Sequence, residues 1–233
     1  MAVVKRIVCL ANSKKMSGRC VAGREVGASG PGPWVRPVTS RPSEELSEIE
    51  RMYEDGSEPR LLDVIDVPLL QHRPHACQTE NWLLNPEQYW RRVRRVDWNE
   101  LAGYVENPPT LWRNGHSTHH GVNDEIPQTE ADRLPGSLCL THVPGVELVV
   151  FAPSLAFGNP KRKVQVRFRH AGATYALMLT DPLVERNYLA RDDGTYPLGE
   201  CCLTISLSEP FQKSGHSGEY FRYKLVAAII VRT

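Results

Sequence analysis

Basic residues are concentrated in one short stretch, residues 161–170, in which apolar and polar residues alternate. This period of two predicts a half-buried β-strand, with Val164, Val166 and Phe168 directed toward a core. The opposite face would carry Lys163, Gln165, Arg167 and Arg169, preceded by Lys161 and Arg162. Such a face can follow a phosphate backbone, because each bound cation releases counterions from the nucleic acid. The alternative is a solvated edge strand whose charges prevent pairing with another chain.

Four other groups of basic and aromatic residues suit a surface for nucleic acid. They are Lys14, Lys15 and Arg19 in a loop with Ser and Gly; Trp34 beside Arg36; Arg91, Arg92, Arg94 and Arg95; and Tyr220, Phe221 and Tyr223, which alternate with Arg222 and Lys224. Proteins that bind single strands combine a positive groove with aromatic side chains on which bases stack. In the alternative interpretation, Trp34 and Phe221 are core residues and the four arginines pair with the acidic helix expected near residues 43–55.

The residues that could support metal binding or catalysis form no recognisable motif. His72, His75 and Cys77 form one group, and His116, His119 and His120 form another. Neither group has the paired spacing of a zinc site, so we expect no metal and no cofactor. The sequence also lacks a G-x-S-x-G motif, a phosphate-binding loop and a paired-carboxylate motif. We therefore expect a protein without catalytic residues.

Composition favours a β-rich intracellular protein. The 233 residues include 18 prolines and 17 glycines, which indicate many turns and short elements. No apolar run is long enough to span a membrane, and the first residues do not resemble a signal peptide, so we expect a cytoplasmic protein. The six cysteines include no C-x-x-C pair, and we expect them to be reduced.

Charge is unevenly distributed although the formal net charge is only +1. Residues 1–41 contain eight Lys or Arg and one Glu, a net charge of +7, whereas residues 43–66 contain nine acidic residues and two Arg, a net charge of −7. Clustered charge of one sign focuses an electric field. The sequence therefore predicts a strongly dipolar N-terminal half.

Hydrophobic periodicity predicts two helices followed by a series of strands. One helix is expected near residues 43–55, starting at Ser43, and another near residues 86–96, where Tyr89, Val93 and Val96 repeat at helical spacing. From residue 137 onward, six short apolar stretches separated by turn residues predict a small closed barrel or sandwich.

Several motifs resemble those of a bacterial family described by a dual OB-containing domain. They are residues 6–23 (RIVCLANSKKMSGRCVAG), 34–38 (WVRPV), 63–68 (DVIDVP), 80–82 (ENW), 157–162 (FGNPKR) and 225–228 (LVAA). The resemblance implies a mainly β fold with a few helices and two small OB-like barrels. We expect an N-terminal barrel with inserted helices in residues 1–110, a polar linker in residues 111–136, and a C-terminal barrel in residues 137–233.

The function we expect is a non-catalytic module that recognises nucleic acid, single-stranded or through its phosphate backbone, beside a separate partner enzyme. The candidate contacts are Lys14, Lys15, Arg19, Trp34, Arg36, Arg91, Arg95, Lys161, Arg162, Lys163, Arg167, Arg169 and Tyr223. Two alternatives stay open at this point. One is a sensor or scaffold that binds a small molecule or nucleotide, and the other is an enzyme whose site lies in residues 113–125.

Overall fold

A computed structural model describes residues 3–212 and 218–232 of the chain. The chain divides into two compact units. The first unit contains residues 1–105 and 135–137, and the second contains residues 106–134 and 138–233. Both units are built mainly from β-strands, which confirms the predicted fold class. No helix within the described residues has the length and apolar character needed to cross a membrane.

The first unit is a ring of antiparallel and parallel strands. Its strands are β1 Val3–Lys15, β2 Gly18–Gly27, β3 Gly30–Val38, β4 Asp63–His72, β5 Asn81–Leu84 and β6 Arg91–Arg95. They follow the order β1-β2-β3-β5-β4-β6, and β1 also pairs with β4, which closes the ring. Strands β5 and β6 run along the same side of β4, because β5 pairs with its C-terminal half and β6 with its N-terminal half.

The two helices predicted in the N-terminal half are wrong in extent or in kind. Within residues 43–55 only one helical turn forms, α1 Glu48–Arg51, which is capped by Ser47 rather than Ser43. The backbone of Leu46 instead exchanges two hydrogen bonds with Arg19, which holds the preceding residues extended. The arginine-rich part of residues 86–96 is strand β6, because it pairs with β4. A short helix, α2 Trp98–Ala102, follows it.

The second unit contains most of the remaining strands. They are β7 Glu125–Pro127, β8 Leu138–Val143, β9 Val146–Phe151, β10 Lys163–His170, β11 Ala173–Leu179, β12 Gly194–Pro197, β13 Cys201–Leu207, β14 Phe211–Gln212 and β15 Tyr220–Val231. The helices are α3 Gln128–Ala131 and α4 Pro182–Leu189. Residues 111–134 thus group with this unit and contain β7 and α3, whereas residues 135 and 136 group with the first unit.

The second unit repeats the strand order of the first. Its main sheet follows the order β12-β9-β10-β11-β15-β13-β8. Strands β8 and β9 are separated only by Pro144 and Gly145, so they form one interrupted strand that begins and ends the ring. In both units the third strand of the ring pairs in parallel with the fifth, as β3 does with β5 and β11 with β15.

Each ring encloses its own apolar core, which fixes the direction of the surface side chains. Val164, Val166 and Phe168 of β10 are buried in the core of the second unit, as their alternation predicts. In the first unit the core includes Ile7, Cys9, Val21, Val35, Leu46, Tyr53, Ile65, Val67, Leu69, Leu84 and Trp90. None of the six cysteines, all of which lie in the described part of the chain, forms a disulfide.

Candidate nucleic-acid interface

Strand β10 is an inner strand of the second unit. It pairs with β9 on one side, from Lys163 to Phe168, and with β11 on the other side, from Gln165 to His170. Both edges of its backbone are therefore satisfied along most of its length. Charges that prevent edge-to-edge pairing are needed only on strands with an open edge. The edge-strand explanation for its cations does not apply.

Three cations of β10 are exposed. Lys163, Arg167 and Arg169 have no ion pair within residues 3–212 and 218–232. The Nε of Arg167 donates a hydrogen bond to Oε1 of Gln165 at 3.0 Å, and Glu147 lies opposite Arg167 on β9 without forming an ion pair. These cations therefore remain accessible to an anion from solvent.

The predicted polar face of β10 is wrong at Gln165, which is buried. Its side chain is fully buried, although sequence alternation places it on the exposed face. Its Nε2 donates a hydrogen bond to the carbonyl of His120 at 2.6 Å, so a segment 45 residues away covers the centre of the strand. The exposed cations consequently form two groups, Lys163 near one end and Arg167 with Arg169 near the other.

The loop between β9 and β10 holds two further predicted cations in different settings. Arg162 links two segments of the second unit, because its guanidinium donates to Oδ1 of Asp193 at 2.6 Å and to the carbonyls of Leu189 and Arg191. Lys161 is exposed, and among the described residues its side chain has no ion pair. Only Lys161 of the two is available to a ligand.

All four arginines of β6 are exposed, and three of them have carboxylate partners, whereas Arg92 has no ion pair among the described residues and lies over the ring of Tyr53. Arg91 binds Asp66 at 2.5 Å, Arg95 lies 3.7 Å from Asp63, and Arg94 binds Glu100. Asp63 and Asp66 belong to the neighbouring strand β4, where they stand opposite Arg95 and Arg91. Strand β6 ends its sheet, so these charges also sit where an edge needs protection.

Arg36 is a buried structural residue. Its side chain is 4% exposed, and it donates to Oδ1 of Asn81 at 2.7 Å, to Oε1 of Glu80 at 2.5 Å and to the hydroxyl of Ser137 at 2.8 Å. Ser137 also donates to Glu80. Asn81, Glu80 and Ser137 all belong to the first unit, and burial by these residues leaves the guanidinium unavailable to an external phosphate.

The remaining candidates of the first unit lie around its hairpins. Lys14 and Arg19 stand opposite each other at the β1–β2 hairpin, next to Lys15. Lys14 is exposed, whereas Lys15 and Arg19 are half-buried. Trp34 is half-buried and pairs in register with Arg24 of β2. The structure thus places these residues in one unit and the β10 cations in the other.

The basic residues of β15 are buried, whereas the sequence interpretation places them on the surface. Arg222 and Lys224 are fully buried, so neither can contribute to a surface. Arg222 binds Asp132 at 2.9 Å, and Lys224 donates to the carbonyl of Arg113 and to Asn114. Tyr223 is half-buried and stacks on Phe211, with ring centroids 3.6 Å apart.

Burial of Lys224 changes its acidity. Its ammonium group lies 5.4 Å from the ring centroid of Tyr175 and has no ion pair among the residues that the structure describes. Burial lowers the pKa of Lys224 to about 8, and Asp124 opposes that shift. Folding therefore holds this amine in a site that disfavours its charged form.

The charges that the N-terminal sequence segregates are partly paired in space. Arg6 donates to both oxygens of Asp66, and Arg41 binds Glu50 at 2.5 Å, so cations of residues 1–41 neutralise carboxylates of residues 43–66. Hydrogen bonds from Arg6, the largest cause, lower the pKa of Asp66 below its ordinary value. These ion pairs bring part of the segregated charge together, and the predicted dipole stays a prediction.

A cleft of about 540 Å³ opens on the first unit. It is lined by Tyr53, Glu54, Asp55, Glu87, Gln88, Tyr89, Trp90, Arg91 and Arg92. The guanidinium of Arg92 lies 5.8 Å from the ring centroid of Tyr53, and the buried Nε1 of Trp90 has no hydrogen-bond partner. Small-ligand sites are mostly apolar and aromatic with a few polar groups, so the aromatic rings of this cleft suit such a site, whereas its five charged residues make it more polar than most.

The histidine segments do not assemble a metal centre. Within the described residues, no group of three or more His, Cys, Asp or Glu side chains is arranged to hold a metal ion. His72 instead contacts the carbonyl of Thr79, and His120 contacts that of Pro153.

Comparison with known proteins identifies the class of fold. The model of the dual OB-containing domain family matches residues 5–229, nearly the whole chain. This protein therefore belongs to the dual OB-containing domain family, and the predicted resemblance is confirmed. No curated protein matches the sequence. The two rings are the two OB-like barrels, and β10 is the second strand of the second barrel.

Sequence reasoning missed one residue of this surface. Phe157 is 87% exposed in the loop that leads into β10, although its motif, residues 157–162, is part of the family resemblance. The sequence feature that could have predicted its exposure is its place directly before Gly158, Asn159 and Pro160, a run that is typical of a turn at the surface.

Proposed function

We propose that this protein is a non-catalytic binding module that recognises nucleic acid through the second barrel. The observation that carries the proposal is the set of three exposed cations on β10, an inner strand, with no carboxylate partner among the described residues. OB-like barrels commonly bind oligonucleotides on the face of their second and third strands and on the adjoining loops. Strand β10 and the loop before it occupy that position.

The spacing of the cations suits a phosphate backbone. Lys163 and Arg169 are six residues apart, which is about 20 Å along a strand. Several consecutive phosphates of an extended single strand fit within that length, and Lys161 would continue the contact beyond Lys163. Phosphate contacts carry no sequence information, so we expect binding with little sequence preference.

The proposal includes a partner enzyme and a cytoplasmic location. The sequence contains none of the catalytic motifs considered above, so a separate enzyme would carry out any chemistry on the bound nucleic acid. The six reduced cysteine thiols fit the cytoplasm, where thiols stay reduced.

The test compares two variants that lose the same charge. Arg167→Ser/Arg169→Ser removes two cations of β10, and Arg94→Ser/Arg95→Ser removes two cations of β6. Binding of a labelled single-stranded oligonucleotide of about 20 nucleotides is measured by fluorescence anisotropy at several salt concentrations. We expect the β10 variant to bind roughly tenfold more weakly at low salt, with the salt slope reduced by about 1.4.

The β6 variant should bind as the unaltered protein does, because its arginines already have carboxylate partners. Unfolding of the β10 variant should change by less than about 0.5 kcal/mol per substitution, since the removed groups are exposed. Absence of oligonucleotide binding by the unaltered protein at low salt would contradict the proposal. Equal binding by the β10 variant and the unaltered protein would contradict it as well.

The cleft of the first barrel supports a second candidate, a sensor of small nucleotides. Tyr89, which is exposed, offers aromatic surface, and Arg92 offers a cation for a phosphate. Calorimetric titration with a mononucleotide tests this candidate against Tyr89→Ala and Arg92→Ala. Mononucleotide binding that needs both side chains, together with oligonucleotide binding that does not need β10, would put the sensor first.

A further inference from the structure

The loop between β9 and β10 has a defined conformation with an apolar tip. Leu155–Phe157 forms a 3-10 turn, in which the amide of Phe157 donates to the carbonyl of Ser154 at 3.0 Å. Gly158 then adopts a left-handed conformation with φ of 77°, which a residue with a side chain rarely adopts. Finally, Oδ1 of Asn159 accepts a hydrogen bond from the amide of Lys161. Hydrogen bonds within the loop therefore fix the backbone conformation that leaves Phe157 exposed.

Phe157 is the most exposed large apolar side chain of the described residues. At 87% exposure it packs against almost nothing, and Leu155 in the same turn is 62% exposed. The loop leaves β9 and enters β10 at the pair Phe151 and Lys163. Phe157 therefore lies on the connection that leads directly to Lys161 and to the first exposed cation of β10.

We propose that Phe157 stacks on a base of the single strand whose phosphates contact the β10 cations, and this inference rests on the proposed function. Base–aromatic stacking accepts every base, because each base has an aromatic face. In a duplex the faces of the bases are covered by their neighbours, whereas an unpaired base can turn onto the ring. Phosphate contacts do not depend on accessible base faces, so Phe157 would supply the preference for single strands over duplex.

Charge complementarity favours a nucleic-acid strand as the occupant of this tip. An apolar pocket of another protein would gain from the basic approach only if acidic residues surrounded it, whereas every nucleic-acid strand that reaches Phe157 carries phosphates along Lys161 and Lys163. A second copy of this chain would bring the same cations against each other. These other occupants become outcomes of the test.

The experiment uses the full chain with Phe157→Ala, Phe157→Trp and Leu155→Ala. Leu155→Ala is the matched control, because it truncates an exposed apolar side chain of the same turn that cannot stack. Affinities for a single-stranded and a double-stranded oligonucleotide are measured at several salt concentrations. A 2-aminopurine base in the single strand reports stacking through quenching of its fluorescence.

We expect Phe157→Ala to weaken single-strand binding roughly five- to 150-fold and to leave the salt slope unchanged, since stacking releases no counterions. Quenching of 2-aminopurine should fall with it, and duplex affinity should stay within about twofold of the unaltered value. Phe157→Trp should retain binding and quenching, and Leu155→Ala should bind as the unaltered protein does.

The possible failures separate the two proposals. If the unaltered protein binds no oligonucleotide, the proposed function fails and this inference fails with it. If the unaltered protein binds through β10 but Phe157→Ala has the same affinity and quenching, only the stacking role is overturned. A dimer that Phe157→Ala dissociates in size-exclusion chromatography, without an effect on oligonucleotide binding, would assign the tip to self-association and overturn it too.

Discussion

The two barrels each carry a strand rich in cations, and the two strands differ in what faces those cations. Strand β6 of the first barrel lies at the end of a sheet, where Arg91 and Arg95 face carboxylates of β4 and Arg94 binds Glu100. Strand β10 of the second barrel lies inside its ring, and its exposed cations have no ion pair in the described part of the chain. The number of cations on a strand therefore says less about binding than the residues on its neighbouring strands do.

Register explains the difference. In the first barrel, Asp66 stands opposite Arg91 and Asp63 opposite Arg95, so pairing of the strands brings opposite charges together. In the second barrel the neighbours of β10 offer only Glu147, opposite Arg167, and Thr174 stands opposite Arg169. We infer that strand β6 uses three of its four arginines for the fold of the first barrel and that strand β10 leaves three cations for a ligand.

The largest effect is expected from Glu80→Ala in the first barrel. This change leaves the buried guanidinium of Arg36 without its carboxylate, and an uncompensated buried charge costs about 3–5 kcal/mol. Denaturant titration of the unaltered protein and the variant measures the loss. The double variant Arg36→Met/Glu80→Met serves as a control, because it removes both charges and should recover much of the stability.

A small loss of unfolding free energy in Glu80→Ala would contradict the view that the first barrel keeps Arg36 for its own fold. A loss below about 1 kcal/mol would mean that the guanidinium of Arg36 reaches solvent, since a buried charge without an opposing charge costs more. Arg36 would then join the exposed cations of the first barrel, such as Lys14 and Arg92.

The next effect concerns Lys224, the cation that the second barrel buries. Its folded pKa of about 8 lies below the ordinary value of 10.5, so between these pH values the unfolded chain holds a proton that the folded chain has lost. The free energy of unfolding should therefore rise with pH across this window, by about 2–3 kcal/mol. Lys224→Met should remove that rise.

The measurement is the difference between the unaltered protein and Lys224→Met in denaturant titrations from about pH 7 to pH 10.5. Taking the difference cancels the tyrosines and cysteines, which titrate in the same window in both proteins. Lys161→Met is the control for loss of an exposed lysine. A difference that stays constant with pH would show that Lys224 keeps its charge in the folded state.

Much of the fold could be predicted because its signals are local. The apolar alternation of residues 163–169 is reproduced by β10, and Asp181 caps α4 with Pro182 at its first position, as the sequence indicates. The helix expected over residues 86–96 is wrong for a non-local reason. Tyr89, Val93 and Val96 have helical spacing, but pairing of residues 91–95 with β4 makes the segment a strand.

The candidate site was less predictable because burial of its polar residues depends on distant segments. Gln165 is covered by the carbonyl of His120, and Arg36 is enclosed by Glu80 and Asn81, which lie 44 and 45 residues along the chain. No period or composition of residues 34–38 or 163–169 reveals those partners. Exposure of Phe157, in contrast, follows from the turn residues around it.

The smallest effect, and the most direct test of the comparison, is expected from Asp66→Asn. The carboxylate of Asp66 accepts hydrogen bonds from Arg6 at 2.7 and 3.0 Å and from Arg91 at 2.5 Å. Its lowered pKa means that it stabilises the fold above the ordinary range of an aspartate and loses that contribution as the pH falls through the folded value. At neutral pH, Asp66→Asn should cost about 1 kcal/mol of stability, because the pairs are partly exposed.

The same change should improve binding, because it releases two guanidinium groups on the first barrel. We expect the affinity for a single-stranded oligonucleotide to rise a few-fold at low salt, with a salt slope steeper by up to about 1.4. Adding Arg91→Ser to Asp66→Asn should cancel about half of the gain in slope. If Asp66→Asn leaves the affinity and slope unchanged, carboxylate partners do not explain the difference between β6 and β10. The position of β6 and β10 in their barrels would then explain which of them binds nucleic acid, since β6 would bind no oligonucleotide even with its arginines released.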